Sequence, residues 1–346
     1  MNYKKKVFLS ITLLLILVFA GCDNGKKSTG TPLPNVPETY SLKIDIIGEG
    51  NVKKTPDKEV YEKNDMVTLK AIPAEDHDFA FWEGAIRSTE PERVIIMEKD
   101  IHLKANFGQI HYFQNFKGED EIFQNRNFIN SDFIKEEITN EKYALTMKKT
   151  NLFTRIKYFQ PEPLPVDFYG EVDLEFGKTD SYTVAGFHFG ELEFNNIISV
   201  YNSEKEIEFD NIIPVYNSEK EIKGKYLLLL VNTEGKYIIK ETEVYETEEN
   251  DVKYEQYQKY NEMPIIEQGE IPGFEKDKPI KLAFSKKGDL YSFYVNGLET
   301  GQVVDRENMK PVFYLLALHT ENIRKNLEEE VTVYFDNYKI LSLDSK

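Results

Sequence analysis

The chain is dominated by short segments in which apolar and polar residues alternate, separated by clusters of turn-forming residues. Alternation with a period of two places the apolar side chains on one face of an extended strand and the polar ones on the other. The clearest segments are Ser41–Ile47, Met66–Ala71, Val94–Met97, Ile101–Phe107, Tyr169–Phe176, Tyr182–Phe189, Tyr226–Val231, Lys236–Glu241, Ile280–Phe284, Leu290–Val295, Val312–Leu318 and Val331–Ile340. Turn signals at Asn232–Gly235, Lys286–Asp289 and Asn296-Gly297 join several of them as hairpins. We therefore predict an all-β chain, with one short helical pattern near Asn322–Leu327.

The first 22 residues combine a basic start, an apolar run and a small-residue ending. Lys4, Lys5 and Lys6 precede an uncharged run from Val7 to Ala20. This run is shorter than the roughly 20 residues that a membrane-spanning helix needs. Residues 1–21 are therefore predicted to be a signal peptide.

Cys22 is the only cysteine of the chain, so it cannot form an internal disulfide. The preceding Phe19-Ala20-Gly21 together with Cys22 resembles the lipobox of bacterial lipoproteins. This resemblance implies cleavage before Cys22, attachment of a diacylglyceryl group to its thiol and acylation of its new amine. Two or more acyl chains suffice for stable anchoring. The resemblance implies an extracytoplasmic, membrane-anchored lipoprotein of the bacterial cell envelope. Asp23, the residue directly after Cys22, does not decide which membrane holds the protein.

The chain is acidic, with 60 Asp and Glu against 43 Lys and Arg and a net charge of −17. Nucleic acid and anionic headgroups repel such a chain, so no nucleic-acid partner is expected and membrane attachment depends on the lipid. Residues 22–39 contain Gly, Ser, Thr, Pro and Lys with little to bury, and they are predicted to be a flexible tether.

Residues 40–107 contain short strand-like segments with turn clusters between them. The order of a Gly48/Gly50 turn, the segment Val67–Pro73, the segment Phe79–Gly84 and the closing Ala105–Phe107 resembles the B-repeat of the internalin type. That family has a turn at the "F-x-x-W-x-G" position, and its modules are small ubiquitin-like β-folds that act as spacers or adhesive units. Trp82, the only Trp, is predicted to be the main core residue of this module.

Residues 108–346 are nearly all strand-like, which suggests a two-sheet sandwich. The ordered stretches FYGEVDLEF, VAGFHFG, YLLLLVNTEGKYIIKE, YSFYVNGLETGQVV and VYFDNYKI resemble the concanavalin-like jelly roll of the laminin-G and pentraxin type. The predicted fold is thus a small B-repeat module followed by a concanavalin-like β-sandwich.

Two excursions interrupt this domain. Residues 193–207 recur almost unchanged as 208–222, which indicates a tandem duplication in a surface segment, or else two ligand loops bearing Tyr201 and Tyr216. The segment Glu243–Gly273 is acidic and tyrosine-rich, and long loops of this kind are often functional. Its Tyr254 and Tyr257 are further candidates for ligand contact.

The stretch YGEVDLEFGKTD places Glu171, Asp173 and Glu175 on one face of a strand, opposite Val172, Leu174 and Phe176. This E-x-D-x-E pattern also resembles laminarinase- and lichenase-type glycosidases, in which the first Glu is the nucleophile and the last is the acid/base. Those enzymes line their clefts with Trp, whereas this chain has no Trp after residue 82. The favoured interpretation is non-catalytic: the acids form the solvated side of a half-buried strand.

Other chemistry has little support in the sequence. The histidines show no paired spacing for a metal; they are His77, His102, His111, His188 and His319. Asp305 and Asp336 could help to hold Ca²⁺, as in some laminin-G members, but "VYFDN" is more typical of a turn cap. No metal or cofactor is therefore predicted.

Three hypotheses remain open from the sequence. The favoured one is an anchored protein whose sandwich binds a glycan or another surface polymer without cleaving it. The alternatives are an anchored glycoside hydrolase that uses Glu171 and Glu175, and a structural or adhesive module with a protein partner.

Overall fold

The structure is a computed structural model of the 346-residue chain. It describes residues 37–117, 130, 134–148, 153–157, 164–179, 183–190, 222–249, 252–257, 264–305, 312–319 and 330–344. Residues from Thr39 onwards form one compact unit. Within the described ranges every regular element is a strand, so no helix there could cross a bilayer.

Eight strands begin the described chain. They are β1 (Thr39–Tyr40), β2 (Leu42–Ile47), β3 (Gly50–Thr55), β4 (Tyr61–Glu62), β5 (Met66–Pro73), β6 (His77–Gly84), β7 (Glu92–Ile96) and β8 (Ile101–Gln114). Strands β3, β5 and β7 form a small antiparallel sheet, while β2 and β6 flank β8. These strands enclose a core around Trp82, which is fully buried and donates its indole N–H to the carbonyl of Glu90 at 2.9 Å. We call this part the N-terminal module, and the prediction that Trp82 is its central core residue is confirmed.

The remaining strands build two larger sheets. They are β9 (Ile134–Thr139), β10 (Lys142–Met147), β11 (Phe153–Lys157), β12 (Phe168–Phe176), β13 (Thr183–Gly190), β14 (Ile222–Asn232), β15 (Lys236–Glu249), β16 (Val252–Tyr257), β17 (Ile265–Glu270), β18 (Ile280–Lys287), β19 (Leu290–Val295), β20 (Leu298–Val304), β21 (Val312–His319) and β22 (Val331–Ser342). Among the described residues, one sheet follows the order β2-β8-β22-β12-β18-β19-β20, and the other follows β11-β21-β13-β14-β15-β16.

The two sheets pack face to face around one apolar core. The ring centroid of Phe284 in the first sheet lies 5.3 Å from that of Phe187 in the second sheet. It lies 5.6 Å from that of Phe168 in its own sheet. Leu227 and Leu229 of β14 complete the second layer of this core. The predicted all-β fold with a two-sheet sandwich is confirmed.

The sequence located most strands within a few residues, and two readings need correction. Phe79–Gly84, expected as a turn by resemblance to the B-repeat, is part of strand β6. The segment Glu243–Gly273, expected as a loop, contains the end of β15 together with β16 and β17. Hairpin turns lie at all three predicted sites, and Asn296 and Gly297 both have the positive φ that a tight two-residue turn requires.

Strand β8 connects the module to the sandwich. It pairs with β2 and β6 through its first part and with β22 through its last part. The predicted boundary between residues 107 and 108 therefore falls inside a continuous strand. The division into separate domains and the B-repeat resemblance stay predictions. The signal peptide and most of the tether (residues 1–36), the duplication at 193–222 apart from Ile222, and the helical pattern at 322–327 lie outside the described residues and stay predictions as well.

We expect Phe284→Ala to lower the free energy of unfolding by about 3–5 kcal/mol, because it removes a ring buried between the two sheets and leaves a cavity. Phe113→Ala is the matched control, since Phe113 is 49% exposed and its loss should cost less than about 1 kcal/mol. Urea unfolding followed by circular dichroism measures both. Similar costs for the two variants would contradict the assigned core.

Candidate functional site

The E-x-D-x-E stretch lies on β12, which is a central strand between β18 and β22. Val172 and Leu174 are fully buried in the sandwich core. Glu171, Asp173 and Glu175 alternate with these core residues, so they belong to the opposite, outer face of the sheet. The predicted separation of acidic and apolar faces on this strand is confirmed.

The prediction of a solvated acidic face is wrong for Glu171, which is only 9% exposed. Strand β6 of the module lies over this part of the sheet. Ala80 and Phe81 of β6 form a small apolar cluster with Tyr169, Tyr294 and other residues of the outer face. Glu171 therefore lies underneath the module instead of facing water.

Both carboxylate oxygens of Glu171 have partners. Its Oε2 accepts a hydrogen bond from the hydroxyl of Tyr169 at 2.6 Å. Its Oε1 lies 2.8 Å from the Nζ of Lys339 and 3.5 Å from the Nζ of Lys281. The Lys339 ammonium also lies 2.6 Å from the Oδ2 of Asp78, which belongs to the module. One lysine thus links an acid of the sandwich to an acid of the module.

The charges around Glu171, Lys339 and Lys281 favour the ionised form of each of these three side chains. Burial alone would raise the pKa of Glu171, but the charges of Lys339 and Lys281 outweigh burial, so its pKa is lowered. Burial would likewise lower the pKa values of Lys339 and Lys281, but Glu171 and the neighbouring aspartates raise them. The buried Glu171 and the partly buried Lys339 and Lys281 therefore stabilise one another in their ionised states.

The two other acids of the ladder also have cationic or amide partners. The Asp173 Oδ1 lies 3.7 Å from the Nζ of Lys281, and its Oδ2 accepts a hydrogen bond from the Asn337 amide at 2.9 Å. Glu175 forms an ion pair with Lys142. Lys281 thus bridges Glu171 and Asp173, whereas Glu175 belongs to a separate pair.

A β-bulge in β22 positions Asn337. The register between β12 and β22 shifts between Glu171 and Asp173, and Asn337 has a φ of 50°. Such bulges re-aim side chains within a sheet. The "VYFDN" stretch, expected as a turn cap, therefore lies within a strand, where Asn337 is directed to Asp173.

Further contacts hold the module on the sandwich. Lys287 of β18 pairs with Glu83 of β6 at 3.1 Å, and Arg87 pairs with Glu299 of β20 at 2.8 Å. Between these pairs, Ser88 forms a β-bridge with Leu298. Apolar packing, ion pairs and backbone hydrogen bonds thus all contribute to this contact, which we call the junction.

A cleft of about 470 Å³ opens beside the junction, and we call it the junction cleft. Glu90 and Arg93 line it from the module, while the loop between β17 and β18 lines it from the sandwich. Its lining includes Asp173 and Lys281, so the acidic ladder extends from beneath the module into this open space. Carboxylates, cations and an amide, that of Asn296, therefore face one concave surface.

The other predicted site residues are spread over the molecule. Cys22, Tyr201 and Tyr216 lie outside the described residues, and Tyr254 and Tyr257 lie in β16. His102 is paired with Asp45 on the surface, and His188 lies in β13 as expected for a strand residue. Asp305 is buried and Asp336 lies at the bulge of β22, and no potential metal-binding cluster of His, Cys, Asp or Glu occurs in the described ranges.

Sequence reasoning missed the residues that decide the environment of Glu171. Lys339 lies in the closing strand and Asp78 in the module, 261 residues apart in sequence. Phe81 next to Trp82 carried a usable signal, because an extra aromatic residue beside the core Trp indicates a second apolar contact on the other side of β6.

No protein family and no curated protein matches the chain. Among solved structures, it is similar to the kappa-carrageenase from Pseudoalteromonas carrageenovora in complex with an oligotetrasaccharide, with a TM-score of 0.43 and 10% identity over 67% of this chain and 93% of that one. It is also similar to a prokaryotic β-1,3-1,4-glucanase (lichenase) derived from a mouse hindgut metagenome, with a TM-score of 0.38 and 12% identity over 68% and 100% of the two chains. For the carbohydrate-binding module CBM66 from Bacillus subtilis, the TM-score is 0.27 at 11% identity, covering 67% and 97%. These similarities assign no activity or residue role to this chain.

Glu171→Gln should lower the free energy of unfolding at pH 7 by about 2–3 kcal/mol, because Lys339 and Lys281, which are partly buried, lose part of their countercharge. The cost stays below that of a fully isolated charge, since Asp78 and Asp173 remain in place. Glu175→Gln is the matched control on the same strand, and its more exposed pair with Lys142 should contribute less than about 1 kcal/mol.

The pH dependence of unfolding provides the second readout of Glu171→Gln. A lowered pKa in the folded state stabilises the fold above the unfolded pKa of about 4.3, and this stabilisation is lost as the pH falls through the lower, folded value. The wild-type protein should therefore lose stability more steeply between about pH 5 and pH 3 than Glu171→Gln does. Parallel acid limbs in urea titrations of the two proteins would refute the assigned ion pairs.

Proposed function

We propose that this protein is a lipid-anchored bacterial envelope protein that binds a glycan or another surface polymer and does not cleave it. The observation that carries the non-catalytic part is the complete engagement of Glu171 by Tyr169, Lys339 and Lys281 beneath the module. The binding part is supported by the junction cleft.

A retaining glycosidase needs a nucleophilic carboxylate that can reach the sugar carbon, with its acid/base partner about 5–5.5 Å away. Glu171 is covered by Phe81 and the rest of the junction and is 9% exposed. Glu175 is engaged by Lys142. This arrangement leaves neither of the two carboxylates available for glycosyl transfer.

The junction cleft has the composition expected for a ligand rich in hydroxyl groups. Its volume of about 470 Å³ lies within the usual range for small-molecule sites, and its lining combines carboxylate acceptors with cationic and amide donors. Both walls are fixed by the contacts of the junction. A pre-formed polar cleft can bind a sugar ring without first paying the entropy of ordering its walls.

The anchor follows from the resemblance of the amino terminus to bacterial lipoproteins. With Cys22 acylated, the tether of residues 22–39 would give the folded part a root-mean-square reach of roughly 20–25 Å from the membrane. That distance is comparable to the size of a small domain. An anchored protein of this kind is placed to hold polymers that lie close to the membrane surface.

A protein partner is the second candidate, favoured by one surface of the module. Met66 and Ile72 of β5 and Val94 and Ile96 of β7 are between 43% and 63% exposed. Met66 lies directly opposite Ile96 in the register of the two strands. Contiguous apolar side chains on an exposed sheet are a common feature of protein interfaces.

Glycan binding should be detected when the detergent-solubilised full-length protein is applied to an array of bacterial and plant polysaccharides. The same preparations should release no reducing sugar from β-1,3-1,4-glucan or β-1,3-glucan. The double variant Met66→Ser/Ile96→Ser, altered only on the exposed module face, should bind the array unchanged. Hydrolysis that disappears in Glu171→Gln would overturn the non-catalytic assignment, and an array without any bound glycan would overturn the binding assignment.

Cys22→Ala should abolish acylation and move the protein from the membrane fraction to the soluble fraction. The physical reason is that a chain of net charge −17 has no attraction to anionic headgroups once the acyl chains are lost. Mass spectrometry of the purified wild-type protein should show a diacylglyceryl-modified amino terminus at Cys22. An unmodified terminus, or membrane association that persists in Cys22→Ala, would contradict the proposed anchor.

A further inference from the structure

The junction cleft contains three cationic side chains, and two of them already have counterions. Lys278 lies 2.6 Å from Glu275 on the same loop. Lys281 is shared by Glu171 and Asp173. Among the described residues, Arg93 is the cation of this cleft for which the structure shows no ion pair.

The position of Arg93 on β7 explains why its head group reaches the cleft. Arg93 lies opposite Leu69 in the register of β5 and β7 and alternates with the exposed Glu92 and Val94. Its stem therefore runs along the inner side of the small sheet. Its Nε is buried and has no hydrogen-bond partner among the described residues.

Arg93 lines the cleft, and a guanidinium group without an ion pair favours an anionic acceptor. Hydrogen bonds from Arg to carboxylate or sulfate oxygens are about twice as strong as those between neutral groups, and the planar guanidinium matches such groups geometrically. Glu90, Asp173 and Glu275 line the same cleft and add carboxylate acceptors to it. Carboxylates of this kind bind the hydroxyl groups of a ligand, because a hydroxyl can donate to them.

We propose that the junction cleft binds an acidic sugar, with Arg93 holding its carboxylate or sulfate group and the surrounding acids accepting hydrogen bonds from its hydroxyls. This inference rests on the proposed glycan-binding function and narrows the ligand to one chemical class. The net charge of −17 repels densely charged polyanions at long range. The preferred polymer therefore carries isolated acidic groups among neutral sugars.

The test uses ligands that differ only in the acidic group. Full-length protein in detergent is titrated calorimetrically with a glucuronate-containing oligosaccharide, with the same oligosaccharide after reduction of its carboxyl groups to alcohols, and with a sulfated galactan oligosaccharide. Trp82, the only Trp, donates to the carbonyl of Glu90 at the cleft and gives a second, fluorescence readout. The wild-type protein should bind at least one acidic ligand about tenfold or more tightly than the reduced one.

Arg93→Gln should remove this preference, lowering the affinity for the acidic ligand about tenfold or more while changing that for the reduced ligand by less than about twofold. Lys58→Gln is the matched control, because Lys58 pairs with Asp65 on the surface of the module and belongs neither to the cleft lining nor to the junction. Its affinities should stay within about twofold of wild type. Comparison of the uronate and sulfated ligands identifies which anion Arg93 prefers.

A second variant keeps the test decisive if Arg93→Gln fails to fold. Gly273 lines the cleft from the sandwich with a φ of +59°, and no atom lies within 4 Å of an added Cβ. Asn adopts this backbone conformation more readily than most residues, so Gly273→Asn adds a side chain to this wall with the least backbone strain. Gly273→Asn should weaken binding of the acidic ligand. The inference is overturned by equal affinity for acidic and reduced ligands, by an unaffected Arg93→Gln or by an unaffected Gly273→Asn, whereas the proposed function falls only if no glycan binds.

Discussion

The contact of Lys339 with Glu171 and Asp78 is the interaction on which the arrangement of the two parts depends. A buried ammonium group is tolerated only when carboxylates offset its desolvation. Here one carboxylate comes from the sandwich at 2.8 Å and the other from the module at 2.6 Å. Moving the module away would break the Lys339–Asp78 pair and separate Phe81 from Tyr169 and Tyr294. The charge pairing therefore fixes the position of the module, while the apolar contact of Phe81 supplies the attraction.

Strand β6 makes this arrangement possible because its two sides pack in two different cores. A bulge between Phe79 and Phe81 changes the side-chain direction, so Phe79 and Trp82 face the module core while Ala80 and Phe81 face the sandwich. Strand β8 adds a covalent connection through the same sheet. Because the module cannot reorient without breaking both, the junction cleft between them has fixed walls, as a pre-formed binding site requires.

The sequence predicted those features that depend on neighbouring residues. Alternation located β12 and β19, and Asn296-Gly297 identified a hairpin, because strand pleat and turn conformation are local properties. The burial of Glu171 could not be predicted, since alternation gives the side on which a residue lies but not what covers that side. The cover is β6, about ninety residues earlier, and its role depends on long-range packing. The strand continuation beyond Glu241 was missed for a similar reason: the acidic residues of β15 lower its intrinsic strand propensity, and pairing with β16 and β17 overrides that preference.

A ladder of carboxylates on a central strand thus has no fixed role of its own. With water and a sugar above it, such a ladder can supply a nucleophile and an acid, because the carboxylates can exchange protons and approach a substrate. With Phe81 above Tyr169 and lysines on both neighbouring strands, the same residue types become ionised, immobile partners in a protein contact. Of these three acids, Asp173 is the one that lines the junction cleft. Asp173 thereby lines the same concave surface as Glu90 and Arg93 of the module, so residues of both parts contribute to the junction cleft.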